Sequence, residues 1–214
     1  MLDTGMHPDF AKLTAAELRS LALRKLVQTA GNPQGDHLLN PGSIDWVMAQ
    51  AVKPAAVLIP IVERASGLWV VLTKRHDNLR SHSGQVAFPG GRIDFEDASP
   101  QAAALREAHE EVALDPAMAE IIGRLPDYFT GSGYRIAPFV ALVASKAVLS
   151  ANPVEVDYVF EVPLAFLMDQ DNHQRGSRMF KGKQRYFFEM PYDGHHIWGV
   201  TAGIIALLRD RLLL

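Results

Sequence analysis

The sequence predicts an α/β or α+β sandwich rather than a parallel-sheet Rossmann unit, and three observations carry that expectation. β-Branched and aromatic runs recur through most of the chain, each bounded by glycine, proline or asparagine clusters. Two significant helices stand among them, and strands and helices do not alternate one for one as a βαβ sheet requires. With 214 residues, 48% hydrophobic and 21% charged, the chain is long and apolar enough to bury a core of ordinary size.

The elements follow in chain order. Thr14 and Glu17 have the spacing of a capping box, and Leu18, Leu21, Leu23 and Leu26 recur near helical spacing up to Thr29. Gly31 to Gly42, rich in glycine, proline and asparagine, reads as an irregular connection. Ala56–Val62 and Leu68–Thr73 read as a hairpin joined at Glu63–Gly67. A glycine-rich passage, Gly84 to Gly91, leads to Ser99-Pro100, a cap followed by first-turn proline. The alanine-rich stretch Gln101–Val112 then has strong helix propensity, with Pro116 as its stop. Strands are expected at 121–125, 136–143, 156–162, 185–190 and 196–198, a short helix at 164–168, and a last helix capped by Thr201.

Composition narrows the chemistry. Without cysteine, disulfides, thiolate catalysis and zinc–thiolate or iron–sulfur sites are excluded, so any metal must be held by oxygen or imidazole. A formal charge of −3 argues against nucleic acid as partner. Asp3, Asp9 and Glu17 interrupt the first residues, a poor signal peptide, and the longest apolar stretch, Ile136 to Leu149, is too short to span a bilayer. A soluble, cytoplasmic protein with no membrane partner is expected.

The most informative segment is Arg106-Glu107-Ala108-His109-Glu110-Glu111-Val112. On a helix Glu107, Glu110 and Glu111 share one face, where like charges repel unless a cation compensates. Oxygen-only ligation by several carboxylates suits Mg2+ or Mn2+, above all where a substrate adds phosphate oxygens. Ala103, Ala104, Ala108 and Val112 make the opposite side small and apolar, fit to pack on a sheet. Upstream, Phe88-Pro89-Gly90-Gly91 lets backbone approach a ligand closely. Other features read as structural: His195-His196 as strand residues facing opposite ways, Tyr186-Phe187-Phe188 as sheet core, and the basic run Arg175 to Arg185 as a solvated hairpin.

Gly91 through Leu114 resembles the signature of the Nudix hydrolases, which cleave a nucleoside diphosphate linked to another moiety. Arg106-Glu107 match its paired positions, Ala108 its aliphatic slot and Glu110-Glu111 its final pair. The chain departs from the general pattern in a Gly91-to-Arg106 interval one residue longer, in having Glu96 or Asp97 where an upstream glutamate is usual, and in Ala113 for glycine. Leu72-Thr73-Lys74-Arg75, Arg80, His82, Gly84 and Phe88 to Gly91 are similar to the extra signature of the coenzyme A pyrophosphatase branch, which shares the longer interval. The resemblance implies an α/β/α sandwich with a mixed central sheet from Lys53 to Leu214, preceded by a helical extension over residues 1–52.

It also implies an activity and its residues: hydrolysis of coenzyme A to 4'-phosphopantetheine and adenosine 3',5'-bisphosphate. Other nucleoside diphosphate derivatives, such as ADP-ribose or NADH, are the alternative within the class, and a non-catalytic Nudix-like binding module the alternative outside it. Glu107, Glu110 and Glu111 would hold Mg2+ or Mn2+, with the Gly91 carbonyl as a further ligand and Arg106 orienting the glutamates. Glu155, or a glutamate of the helix itself, would activate water. Lys74, Arg75, Arg80, His82 and Gly90 would meet the substrate phosphates. The N-terminal extension leaves a homodimer open.

Overall fold

The computed structural model describes residues 8–26, 34–40, 53–78, 83–180 and 182–213. Helix α1 (Ala15–Lys25) opens on the capping box: Thr14 Oγ1 accepts from the Glu17 N–H at 3.3 Å, and Glu17 accepts from the Thr14 N–H at 2.9 Å. Leu18, Leu21 and Leu26 are buried in the main core, whereas Leu23 points to solvent. Residues 27–29 of the expected helix lie outside the described residues. The connection that follows is not wholly irregular, for it contains the short strand β1 (Gln34–Gly35) and a single 3-10 turn, Asp36–Leu38.

The next elements are β2 (Lys53–Arg64), β3 (Gly67–Arg75), β4 (Val86–Ala87), β5 (Gly90–Arg92) and helix α2 (Pro100–Val112). After them come β6 (Ala119–Arg124), β7 (Tyr128–Phe129), β8 (Tyr134–Val143), β9 (Val156–Pro163) and helix α3 (Leu164–Met168). β10 (Gln174–Phe180), β11 (Lys183–Tyr192), β12 (His195–Trp198) and α4 (Gly199–Leu213) complete the chain. β2 pairs antiparallel with β3 and parallel with β8, from Lys53 opposite Tyr134 to Val62 opposite Val143, so the central sheet is mixed. Its order is β1-β7-β8-β2-β3-β4, with β5 on β2, β6 on β8 and β9 on β3.

Alternation along β2 divides the core in two. Ile59 and Ile61 face a cluster shared with α1 and α4, and Leu58 and Val62 face a cluster shared with α2. Ala103, Ala104 and Ala108 are fully buried there, small enough to bring α2 close to the sheet. Helices thus cover both faces of a mixed sheet, an α/β/α sandwich.

The alanine-rich helix ends as expected at Val112, with Ala113 left-handed (φ 55°) in a position that favours glycine, and Pro116 opens a separate 3-10 turn. Two local expectations are corrected. Thr201 does not cap α4, which starts at Gly199; inside the helix, its hydroxyl donates to the Val86 carbonyl at 2.9 Å and fastens α4 to β4. The aromatic run Tyr186-Phe187-Phe188 is not core of the central sheet. It belongs to a separate three-stranded sheet, β10-β11-β12, and Tyr186 is exposed.

Candidate active site

A cavity of about 630 Å3 lies between α2, the central sheet and the β10–β12 sheet. One side is acidic. Gly90 and Gly91 form β5 against β2, and the approach there leaves no room for a side chain: a Cβ on Gly90 would lie 2.5 Å from the Ala56 carbonyl oxygen. A Cβ on Gly91 would lie 2.4 Å from a Glu107 carboxylate oxygen, so this backbone is pressed against the acidic helix. The Gly90 N–H donates to Glu111 at 3.1 Å. Gly90→Ala should therefore shift β5 and withdraw that donor, costing about 2 kcal/mol or more in urea denaturation.

Glu111 is 2% exposed, and its other carboxylate oxygen accepts from Arg75 Nη1 at 3.1 Å. Burial pushes its carboxyl up to about 7; the Gly90 N–H and the Arg75 charge oppose this, while Glu107 and Glu155 add to it. Burial likewise holds Glu107 above the usual carboxylate range, against the pull of Arg106. Both, with Gly90, Gly91, Arg75 and Glu155, line the cavity.

Arg106 sits behind them as a clamp. Its Nε and Nη2 donate to the two oxygens of Asp97, each at 2.9 Å, and Nη1 donates to Glu107 and Glu110, each at 3.0 Å. Nη2 also reaches the Arg92 carbonyl at 3.1 Å, tying helix to β5. Asp97, not Glu96, thus occupies the upstream acidic position, and Arg106 beside it lowers its pKa. The side chain of Glu110 is half exposed and outside the cavity lining.

Asn152, to which the sequence assigned no role of its own, brings Glu155 to this site. Its N–H donates to the Glu111 carbonyl at 2.9 Å and its Nδ2 to the Glu110 carbonyl at 3.2 Å, closing the end of α2. The N–H groups of Glu155 and Val156 return to the Asn152 carbonyl, which turns the loop so that Glu155 faces the cavity.

The cationic residues separate. Arg75 enters the cavity, whereas Lys74, its neighbour on β3, lies between Asp157 and Asp77 at 3.3 and 3.4 Å and does not line it. Arg80 and His82 lie outside the described residues. His195 stacks on Phe160 at 3.8 Å and His196 meets Glu189 at 2.9 Å, as strand residues facing apart. The basic hairpin is not merely solvated, because Arg178 and Arg185 line the cavity, as do Tyr186, Phe187 and Trp198. Asp36, in the 3-10 turn that follows β1, also lines the cavity; it accepts from the Tyr128 hydroxyl at 3.0 Å and the Gly131 N–H at 2.8 Å, and burial raises its pKa.

The donors present on α2 are hard carboxylate oxygens, the type that Mg2+ or Mn2+ takes, and the burial that raises Glu111 and Glu107 is what a cation would offset. Among the described residues, no three acidic or imidazole groups converge on one point; Glu107 and Glu110 are drawn to Arg106 and Glu111 to Arg75. Among the described residues, no helix is long and apolar enough to cross a membrane.

Comparison with known proteins agrees with this architecture. Residues 52–180 match the family model described as NUDIX domain. The uncharacterized Nudix hydrolase NudL of Escherichia coli K12 / DH10B is 44% identical over 153 residues, covering 72% of this chain and 79% of that protein. NudL of strain O1:K1 / APEC gives the same identity and coverage. The fold is also that of the NUDIX domain of Shewanella oneidensis NrtR, complexed with ADP ribose, at 20% identity and a TM-score of 0.51 over 82% of this chain and 96% of that one. With the family model matched over more than half its length and a curated relative at 44% identity, the chain belongs to the Nudix hydrolase superfamily, whose activity is hydrolysis of pyrophosphate bonds.

Proposed function

We propose that the chain hydrolyses the pyrophosphate bond of an adenosine diphosphate derivative of the ADP-ribose kind, with Glu107, Glu110, Glu111 and the Gly91 carbonyl holding Mg2+ or Mn2+. The observation that carries this is buried Glu111 beside partly buried Glu107, pressed against Gly90-Gly91 at one side of a cavity large enough for a nucleotide. A bound divalent cation neutralises charge on the pyrophosphate oxygens and eases deprotonation of the attacking water.

The chain's own residues do the rest. Arg75 offers its guanidinium to the phosphates, and its buried Nε has no partner among the described residues, leaving a donor for the substrate. Glu155 lines the cavity without a hydrogen bond or ion pair from its carboxylate among the described residues, and takes the water's proton as the oxygen attacks phosphorus and the bridging P–O bond breaks. Arg106 orients Glu107 and Glu110. The ADP ribose complex of the NrtR domain supports this substrate class.

Coenzyme A is the second reading, favoured by the pattern Leu72 to Gly91. The two are separated by incubating the protein and Mg2+ or Mn2+ with ADP-ribose, NADH, coenzyme A and dephospho-coenzyme A, followed by mass spectrometry of products. AMP and ribose 5-phosphate from ADP-ribose at the highest kcat/KM is the expected result. Fastest release of 4'-phosphopantetheine and adenosine 3',5'-bisphosphate would transfer the assignment to coenzyme A. Cleavage of none would contradict the enzymatic reading and leave a binding module.

A further inference from the structure

Register places two cations and two aromatic rings on one face of the β10–β12 sheet. Arg178 stands directly opposite Arg185, Gly176 opposite Phe187, and Glu189 opposite Trp198, and strand alternation sets all of these positions on the same side. Arg178, Arg185, Phe187 and Trp198 line the cavity. Glu189, the carboxylate of that face, does not line it and meets His196 at 2.9 Å.

Like charges directly opposite each other destabilise a strand pair, yet the chain fixes one of these guanidiniums in place. Arg178 lies 4.8 Å over the Trp198 ring, which in turn meets Phe187 edge to face at 5.2 Å. Gly176 leaves the room that Phe187 needs, since a Cβ there would come within 2.5 Å of the ring. An arginine stacked on an aromatic face keeps its in-plane N–H groups for a further partner. Among the described residues Arg178 makes no hydrogen bond or ion pair, so those donors remain for a ligand. Arg185 acts by charge on Asp36, another cavity residue, and opposes the rise that burial imposes on that carboxyl.

We propose that Arg178 and Arg185 form a second anion subsite, which takes a phosphate monoester that the substrate carries apart from its pyrophosphate. The inference deepens the hydrolase reading and rests on it for the substrate: the preferred adenosine diphosphate derivative bears a further phosphate. Such a monoester carries a charge of about −1.5 to −2 at pH 7 and three acceptor oxygens, enough for both planar forks. In that reading the pyrophosphate is met by the cation on α2 and by Arg75. One continuous cavity joins those residues to the arginine pair, so a single ligand reaches both.

The test measures binding of ADP-ribose, ADP-ribose 2'-phosphate and ADP-ribose 3'-phosphate by calorimetry in EDTA, for wild type, Arg178→Ala, Arg185→Ala and Arg175→Ala. Arg175 is the control: opposite Phe188, it has the same charge on the same strand but the other face of the sheet. Circular dichroism checks that each variant folds. Wild type should bind one of the phosphorylated ligands about tenfold or more tightly than ADP-ribose, and Arg178→Ala or Arg185→Ala should erase most of that ratio. Arg175→Ala should keep it. With metal present, the kcat/KM ratio for the favoured phosphorylated ligand over ADP-ribose should fall in the same two variants. No preference in wild type, an unchanged ratio in Arg178→Ala, or an equal loss in Arg175→Ala would refute the subsite, whether or not ADP-ribose is cleaved. A preference that depends on Arg178, in a protein that cleaves no pyrophosphate, would keep the subsite and remove the hydrolase reading instead.

Discussion

Glu111→Gln is expected to lower kcat for pyrophosphate hydrolysis about a thousandfold, the equivalent of about 4 kcal/mol of lost transition-state stabilisation, while the protein stays folded. Glutamine keeps the shape, but its single acceptor oxygen serves only one of Arg75 Nη1 and the Gly90 N–H, and it removes the charge that a divalent cation requires. The substitution also has a signature in stability. Burial pushes the folded-state carboxyl up to about 7 from an ordinary 4.5, so between these values the folded protein holds a proton that the unfolded chain has released. Stability of the metal-free protein should therefore fall as pH rises from about 4.5 to about 7, by at most about 3 kcal/mol. Urea denaturation in EDTA should show that slope in wild type and a flatter one in Glu111→Gln. A wild-type curve with no greater decline than the variant's would contradict the burial argument.

Arg106→Ala should act on both fold and rate. It strips the bidentate partner from Asp97, whose side chain is 6% exposed, and one donor from Glu107. Removing one member of such a pair leaves a poorly solvated carboxylate; with Arg106 itself 29% exposed, about 3 kcal/mol is expected, the lower end of the usual range. As a positioning residue it should also lower kcat about tenfold to a hundredfold. The pH dependence gives a separate check. Arg106 lowers the folded-state pKa of Asp97, contributing stability above the ordinary value of 3.8 that is lost as pH falls through the depressed one. That acid-side loss should be smaller in Arg106→Ala.

Much of this arrangement is legible in the sequence because it is local. The Thr14–Glu17 box, the Ser99 cap and the three glutamates on one helical face each depend on spacings of a few residues. The strand β2 is legible as an apolar run, but not its division between two core clusters, because both of its faces are hydrophobic. What the sequence hides depends on distance or on which sheet a strand joins. Tyr186-Phe187-Phe188 has the composition of core, and nothing local says that its strand belongs to a second sheet. Asn40 meets Tyr186 from 146 residues away. Lys74 and Arg75 are equally cationic, although adjacent strand residues face opposite sides, a signal that shows one of them must leave the cavity but not which. The end of α2 at Val112 is legible, but not its form, since Ala113 takes a left-handed conformation that its identity does not announce.

The most direct measurement is product formation from ADP-ribose by wild type and Glu111→Gln side by side, with Mn2+ and with EDTA. AMP and ribose 5-phosphate formed by wild type only when metal is present, with the variant about a thousandfold slower, is the expected result. A variant that turns over at the wild-type rate would show that the acidic face of α2 is not the hydrolytic centre.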